Sequence, residues 1–197
     1  MLSKLNPTQR AAVKHLGTPL LVLAGAGSGK TRVITHKIAY LIEECGYAPR
    51  NIAAITFTNK AAREMQERVG KLLGGREAKG LTISTFHALG MQILREEAPH
   101  LGYKRQFSIF DTADTGKIVS ELLGSPDKQE IRTAQSVMSN WKAAFLTPEQ
   151  AASLAENEEQ QRLALLYQRY QETLRAYQAV DFDDLIRLPV ELFQSHA

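Results

Sequence analysis

The chain has 197 residues, of which 44% are hydrophobic and 23% charged, a balance that excludes a disordered, collagenous or coiled-coil protein. No apolar run approaches the roughly 20 residues that cross a bilayer, and the single cysteine, Cys45, excludes an internal disulfide, so we expect a cytoplasmic protein. Residues 1–110 carry 16 basic and 7 acidic side chains, a net charge of +9, whereas residues 111–197 carry 8 and 14, a net charge of −6. The basic half suggests a polyanionic partner such as nucleic acid.

The first 87 residues predict alternating strands and helices. An apolar run at residues 20–23 leads into a glycine-rich loop, and further apolar runs occupy residues 52–57 and 81–85. Between these runs, residues 33–42 have helical spacing, and a second helical stripe begins at a predicted cap, Asn59. Strands joined by single helices form a parallel sheet, whose ligands bind at the carboxyl ends of the strands.

From about residue 88 the pattern becomes helical. A short β-like run at residues 107–110 precedes a predicted helix cap, Asp111, and Thr147 and Gln150 form a predicted capping box. The longest helical stripe contains apolar and aromatic residues at helical spacing: Leu163, Leu166, Tyr167, Tyr170, Leu174 and Tyr177. We expect this stripe to form the core of a helix bundle rather than an exposed stacking surface.

The strongest motif is AGAGSGKT, at residues 24–31. In a phosphate-binding loop, glycines let successive backbone amides point at phosphate oxygens, and the next helix adds its positive N-terminal end. Lys30 would neutralise the β and γ phosphates of ATP, and the Thr31 hydroxyl would hold Mg²⁺. The general pattern has glycine in place of Ala24, whereas the alternative dinucleotide fingerprint needs glycine in place of Lys30.

Two polar segments follow predicted strands and therefore share one edge of the sheet. The first is TFTNKAA, from residue 56, and the second is TFH, from residue 85. Hydroxyls, an amide, a lysine and helix-start amides suit phosphodiester oxygens, and Phe57 and Phe86 could stack on bases. Each segment alone also fits a structural role, with the rings in the core and His87 solvated. Together they predict a track for a single nucleic-acid strand.

Two further features are less specific. The Gln9 amide offers the donor and the acceptor that adenine needs, although surface glutamines are common. The acidic residues 181–184 could hold magnesium, since residues 1–110 contain no aspartate at all. We instead expect an acidic helix start there, because residues 176–180 do not have the composition of a buried strand and apolar residues follow the acids. The catalytic carboxylates of an ATPase are then missing from this chain.

Five ordered segments together resemble the Rep/UvrD family of superfamily 1 DNA helicases and, within it, the Rep type. They are LNPTQRAAV, AGAGSGKTRVIT, ITFTNKAAREMQERV, ISTFHALG and VDFDDLI, and they extend over residues 5–188. The resemblance implies an α/β fold: part of a RecA-like P-loop NTPase parallel sheet with an inserted, mostly helical subdomain. Residues 1–88 would form the first part of the ATP-binding domain, residues 89–180 the insertion, and residues 181–197 the start of the return.

The resemblance also implies an ATP-dependent helicase that moves 3′ to 5′ on single-stranded DNA and unwinds duplexes. Its ligands would be ATP, Mg²⁺ and single-stranded DNA or single-strand/duplex junctions, with replication or repair proteins as partners and no membrane. The implied nucleotide-binding residues are Gln9, Ala24, Gly25, Ala26, Gly27, Ser28, Gly29, Lys30, Thr31 and Arg32, with Lys30 catalytic and Thr31 on the metal. The implied DNA-binding residues are Phe57, Thr58, Asn59, Lys60, Thr85, Phe86 and His87.

Such helicases are several times longer than this chain, so we expect an amino-terminal fragment. It stops before the family's Asp-Glu segment, second ATP domain and arginine fingers, and we expect it to bind ATP without hydrolysing it. Two alternatives stay open from the residues alone. One is a small P-loop kinase, which would need an arginine-rich lid and an acceptor site. The other is a non-catalytic nucleotide-binding module.

Overall fold

The computed structural model describes residues 2–75 and 78–195 and divides into two compact units, Met1–Phe86 and His87–Ala197. The described α-helices are α1 (Pro7–Lys14), α2 (Lys30–Glu43), α3 (Asn59–Leu72), α4 (Phe86–Glu97), α5 (Thr112–Leu123), α6 (Lys128–Ala143), α7 (Pro148–Ser153), α8 (Glu158–Ala176) and α9 (Asp184–Ser195). The strands are β1 (Ala53–Thr56), β2 (Thr82–Thr85), β3 (Ser108–Ile109) and β4 (Ala179–Val180). Short 3₁₀ turns occupy Leu2–Lys4, Pro49–Asn51 and Ala98–Leu101.

The first unit contains a β1–α3–β2 crossover. β1 and β2 pair in parallel, with Thr56 opposite Thr85, and this confirms the two strands predicted on either side of a helix. The apolar stripe of α3 packs into a core with both strands and with α2: Ile38, Ala39, Ile52, Ala54, Ala62, Met65, Val69, Leu73 and Ile83. The prediction that Asn59 caps α3 is wrong by one residue, because the Thr58 hydroxyl accepts the Ala61 N–H at 3.1 Å.

The predicted strand at residues 20–23 is wrong for this structure. These residues have no strand conformation, and the side chains of Leu21 and Leu23 are 81% and 86% exposed. A strand is stabilised by backbone hydrogen bonds to a neighbour. Within the described residues, β1 pairs with β2 and β3 pairs with β4, and residues 20–23 add no third strand to either sheet.

The second unit is mostly helical. Its main core joins α5, α6 and α8 through Ile118, Val119, Ala134, Met138, Ala151, Ala164, Leu166, Tyr167, Tyr170, Leu174 and Ala179. The predicted aromatic stripe therefore forms a helix core, except at its end, where Tyr177 is exposed. Both predicted caps are confirmed, because Asp111 accepts two N–H groups of α5 and Thr147 forms a capping box with Gln150.

A second parallel pair lies in this unit. The predicted β-like run at residues 107–110 contains β3, and β3 pairs with β4. The expectation that no strand precedes the acidic residues is wrong, since β4 ends at Val180, directly before Asp181. Composition did not reveal β4 because only two residues form it, and both are buried.

The whole is a mixed α/β protein, mostly helical, with small parallel sheets, and the predicted fold class is confirmed at that level. In the part of the chain that the structure describes, no helix combines the length and the apolar character needed to cross a membrane.

Candidate functional site

The phosphate loop, residues 24–29, is an exposed backbone loop in front of α2. Gly27 and Gly29 have φ angles of 74° and 87°, a left-handed conformation that side chains disfavour. A β-carbon on Gly29 would also lie 2.9 Å from the Gln9 amide nitrogen. Gly29 caps α2 without a side chain, so the first N–H groups of α2 have no side-chain acceptor. This is the backbone form that an anion needs at a helix N-terminus.

Two side chains close the loop on itself. The Lys30 ammonium donates to the carbonyl oxygens of Ala24 and Gly25 at 2.8 and 2.7 Å. The Ser28 hydroxyl donates to the same Gly25 oxygen at 2.7 Å. A bound phosphate would compete with these carbonyl oxygens for the Lys30 ammonium, and the phosphate-binding role of Lys30 stays a prediction.

Gln9 connects α1 to the phosphate loop. Its side-chain oxygen accepts the Asn6 N–H at 3.2 Å, and the Asn6 side chain accepts the Gln9 N–H at 2.8 Å, which makes a capping box. The Gln9 amide nitrogen donates to the Ser28 carbonyl at 3.0 Å. Both ends of the side chain therefore have structural partners, which the sequence did not indicate, and adenine recognition stays a prediction.

Thr31 and Arg32 follow at the start of α2. Both side chains are exposed, and the Arg32 guanidinium donates to the Lys4 carbonyl at 2.8 Å. Among the described residues, no three histidine, cysteine or carboxylate side chains converge as a metal site. The predicted Mg²⁺ ligand, the Thr31 hydroxyl, fits a metal that is held mainly by nucleotide phosphates and water.

The ends of β1 and β2 bring two predicted aromatic residues together. Because Thr56 and Thr85 are opposite each other, Phe57 and Phe86 leave the sheet at the same edge, with their ring centroids 6.3 Å apart. Phe57 is 91% exposed, and Phe86 is also exposed. Exposed rings of this kind are available to stack on bases.

The remaining predicted DNA-binding residues of the first unit differ in exposure. Thr58, Asn59 and Lys60 are exposed at the first turn of α3. Thr85 is buried at the end of β2. The polar groups at the start of α3 therefore have access to a phosphodiester, and the Thr85 side chain has little.

A second aromatic pair lies in the helical unit. His87, at the start of α4, contacts Phe182 edge-on, with ring centroids 5.9 Å apart. Gly90 permits this approach, because a β-carbon there would overlap the Leu185 carbonyl oxygen. Sequence reasoning missed Phe182. The available signal was an aromatic residue placed between aspartates at a helix start, where a core side chain is not expected.

Phe182 belongs to a turn, residues 181–184, that we call the Asp turn. Asp181 accepts the Asp184 N–H at 3.0 Å, and Asp184, the first residue of α9, accepts the Asp181 N–H at 3.4 Å, so the two carboxylates close the turn before α9 reciprocally. The predicted acidic helix start is thus confirmed. Burial raises the pKa of the Asp183 carboxyl, the third acid of the turn.

Lys142, on α6, forms ion pairs with two aspartates of the Asp turn. It is 1% exposed, and its ammonium lies 2.6 Å from Asp181 Oδ2 and 3.0 Å from Asp184 Oδ1. The Tyr170 hydroxyl, on α8, donates to Asp181 Oδ2 at 2.8 Å, and Arg187 Nε lies 3.3 Å from Asp184 Oδ1. These two carboxylates are therefore fully engaged inside the protein.

The buried charges shift one another's ionisation. Burial alone would lower the pKa of Lys142, but Asp184 and Asp181 outweigh it and raise that pKa. Burial would raise the pKa of Asp181, yet the Lys142 ammonium lowers it below its ordinary value. For Asp184, which is completely buried, burial prevails and the pKa is raised.

Comparison with known proteins gives the following relatives. Residues 5–197 match the family model of the UvrD/REP helicase N-terminal domain. The chain is 53% identical over 194 residues to ATP-dependent DNA helicase Rep of Escherichia coli (strain K12), covering 97% of this chain and 29% of that protein. It is 44% identical over 198 residues to ATP-dependent DNA helicase PcrA of Staphylococcus aureus (strain Mu50), covering 98% and 27%. It spans less than a third of either relative.

Proposed function

This chain belongs to the UvrD/REP helicase family, and from that premise we propose that it forms the ATP-binding amino-terminal part of an ATP-dependent DNA helicase. The resemblance inferred from the five sequence segments is confirmed by the family match and by the similarity to Rep and PcrA. The observation that carries the proposal is the phosphate loop, whose open glycine backbone, free helix start and Lys30 charge meet in front of α2.

We also propose the domain arrangement implied by the motifs. Residues 1–88 would be the first part of a RecA-like domain, residues 89–180 an insertion and residues 181–197 the start of the return. The parallel β1–α3–β2 crossover in the same unit as the phosphate loop supports the RecA-like assignment. The proposed setting is the cytoplasm, with replication or repair proteins as partners.

In nucleotide binding, the chain's own groups divide the work. Loop amides and the N–H groups at the start of α2 donate to phosphate oxygens, and Lys30 turns from the Ala24 and Gly25 carbonyls to the β and γ phosphates. The Thr31 hydroxyl supplies one ligand to Mg²⁺, which when bound neutralises phosphate charge. Arg32 lies beside the nucleotide, and Gln9 contacts the adenine.

Hydrolysis needs more than binding. A carboxylate must order the metal and the attacking water, and an arginine finger contributes about 10³–10⁵ in rate. Asp181 and Asp184 are bound by Lys142 and by backbone N–H groups, so they are not available for that role. We therefore propose that the 197-residue chain binds Mg²⁺-ATP and does not turn it over.

For DNA, we propose that Phe57 and Phe86 stack on bases of a single strand and that Thr58, Asn59, Lys60 and the first N–H groups of α3 hold its phosphates. Thr85 would shape the end of β2, and His87 would contact the strand together with Phe182. The proposed activity of the longer protein is 3′ to 5′ translocation on single-stranded DNA, and unwinding at junctions with duplex.

The nucleotide proposal is tested with Lys30→Ala. Removing a charge-assisted contact of about 1.5–3 kcal/mol should weaken Mg²⁺-ATP binding at least tenfold, measured by titration calorimetry. Lys71→Ala, which removes an exposed lysine of α3, is the matched control and should bind like the parent chain. Equal ATP affinity in the two variants would contradict the assignment.

The DNA proposal is tested with Phe57→Ala in a fluorescence anisotropy titration of single-stranded DNA. We expect a loss of about 1–3 kcal/mol in binding free energy if the ring stacks on a base. Tyr47→Ala, which removes another exposed ring of the first unit, is the control. Binding to single strands that falls steeply with salt supports a helicase over a P-loop kinase; equal binding by both variants would show that Phe57 does not stack.

A further inference from the structure

The Asp turn holds an apolar ring in solvent. Phe182 is 50% exposed although its neighbours Asp181 and Asp184 are buried. Beside it lies a cavity of about 410 Å³, lined in part by Phe182, Lys142, Ser139 and Phe110. Phe182 lines one side of this cavity, so its ring borders open space and has room for another orientation unless the turn is held.

The turn is held from two helices. Lys142 of α6 bridges the two carboxylates that flank Phe182, and Tyr170 of α8 donates to one of them. The carboxylates of Asp181 and Asp184 also accept each other's backbone N–H groups. The backbone on both sides of Phe182 is therefore fixed. Only Phe182 and Asp183 remain outside these contacts.

A buried ion pair is a poor way to stabilise a fold. Desolvating an ammonium and two carboxylates costs several kcal/mol, and well-packed apolar groups at such sites are often equally or more stabilising. Ion pairs do, however, impose one geometry, because charge and hydrogen-bond direction must both be satisfied. The network here is therefore better suited to fixing the turn than to adding stability.

We propose that Lys142 is a positioning residue: by joining Asp181 to Asp184 it fixes the turn that presents the Phe182 ring beside His87, at the edge of the neighbouring cavity. The proposal rests on the proposed function in so far as Phe182 and His87 contact single-stranded DNA. Lys142 itself touches no ligand. Its effect on DNA passes through Phe182.

The first test needs no DNA. The ring of Phe182 shifts the resonances of the His87 imidazole protons, so the His87 signals in histidine-labelled protein report the ring position at 5.9 Å. We expect Lys142→Met to move these signals toward those of Phe182→Ala. Lys142→Arg should restore them, since the adjoining cavity leaves room for the larger head group.

A second variant guards against unfolding. Lys142→Met leaves two carboxylates without their ammonium partner, whereas the triple variant Lys142→Met, Asp181→Asn, Asp184→Asn removes all three of these charges. It leaves Arg187 paired with Glu191 and keeps side-chain acceptors for the N–H groups of the turn. Circular dichroism shows whether each variant is folded. We expect the triple variant to fold and to show the same His87 displacement.

The second test is a double-mutant cycle on single-stranded DNA affinity, measured by anisotropy. Phe182→Ala should weaken binding about fivefold or more, as expected for loss of one stacked base. The triple variant should weaken it by a similar factor, and adding Phe182→Ala to the triple variant should cost nothing further. Phe57→Ala lies in the other unit, so its fold-loss in DNA affinity should multiply with the fold-loss of Phe182→Ala and with that of the triple variant.

The outcomes separate the two proposals. Unchanged His87 signals in folded Lys142→Met and triple variants would overturn the positioning role, as would additive losses in the cycle with Phe182. Absence of single-strand binding by the parent chain would contradict the proposed DNA function, while the His87 signals would still decide the role of Lys142.

Discussion

Residues 20–23 and residues 179–180 are both short apolar segments, and their surroundings are opposite. In the first segment, Leu21 and Leu23 project into solvent and the backbone joins no sheet. In the second, Ala179 and Val180 are buried, and they pair in parallel with β3. The first segment has the stronger β-forming composition, yet only the second is a strand.

A neighbouring strand decides whether a short apolar run becomes a strand. β4 has β3 beside it and a helical core behind it, so two residues are enough. Residues 20–23 pair with no described strand, and only one side of the segment is partly covered, since Leu20 and Val22 are half-exposed while Leu21 and Leu23 are almost fully exposed. The two segments also lead into different features: the exposed one into the phosphate loop, and the buried one into the Asp turn.

The largest change in stability should come from the Asp turn, which follows the buried strand β4. Lys142→Met leaves two buried carboxylates without their counter-ion, and we expect a loss of about 3–5 kcal/mol in the free energy of unfolding at pH 7. Lys128→Met, on the exposed start of the same helix, should change it by less than about 0.5 kcal/mol. Chemical denaturation of both variants measures the contrast, and equal stability would show that the Asp turn tolerates unpaired charge.

The pH dependence of that loss has a definite sign. In the parent chain the pKa of Asp181 is lowered, so its contribution is present above its ordinary value and disappears as the pH falls through the lowered one. The pKa of Lys142 is raised, so its contribution persists to alkaline pH and disappears as the pH rises through the raised value. Asp184, whose pKa is raised, acts in the opposite sense to Asp181. Without Lys142, burial raises the pKa of both carboxyls, so the deficit of Lys142→Met should shrink between pH 7 and pH 5.

The next effect tests the two segments directly. Val180→Ala removes two buried methyl groups and should cost about 1–2 kcal/mol of unfolding free energy. Leu21→Ala removes more apolar surface, but that surface is already in water, so we expect a change within about 0.5 kcal/mol. If Leu21→Ala destabilises the chain as much as Val180→Ala, then residues 20–23 are covered in solution and the contrast fails.

Elements whose partners are near in sequence could be predicted. The helices α2 and α3, the strands β1 and β2, and the caps at Asp111 and Thr147 follow from local composition and spacing. The exact N-cap of α3 could not be predicted, because threonine and asparagine are both good N-cap residues. Only Thr58 has the extended backbone that an N-cap needs. The helical spacing of apolar residues predicted that Tyr177 belongs to the core. In the structure the buried residues of α8 end at Leu174, and Tyr177 is exposed.

Contacts between distant residues could not be predicted. Lys142 and Asp181 are separated by 39 positions, and no pattern in either segment indicates that the lysine is buried. The phosphate loop could be predicted as a nucleotide site because the chemistry proposed for it depends on consecutive residues, namely glycines, a lysine and a threonine, and its role stays a prediction. The presentation of Phe182 depends on three helices meeting at one turn, so it appears only in the folded chain.

The smallest effect concerns Gln9, which ties the exposed phosphate loop to a helix. Gln9→Ala removes one side of the capping box, and we expect it to lower the free energy of unfolding by about 0.5–1 kcal/mol. It also removes the donor to the Ser28 carbonyl, which loosens the loop for any nucleotide. If Gln9 contacts adenine as well, calorimetry should show a greater loss of affinity for ATP than for GTP.

Gln9→Glu separates these contributions, because glutamate still accepts the Asn6 N–H but offers no donor to Ser28 or to adenine. Its unfolding free energy should match that of the parent chain, while ATP affinity falls as in Gln9→Ala. An equal loss for ATP and GTP in Gln9→Ala would mean that Gln9 acts only through the loop, because the carboxylate of Gln9→Glu also repels the phosphates of both nucleotides. A stability loss in Gln9→Glu would mean instead that the Ser28 contact, and not the capping box, holds α1 against the phosphate loop.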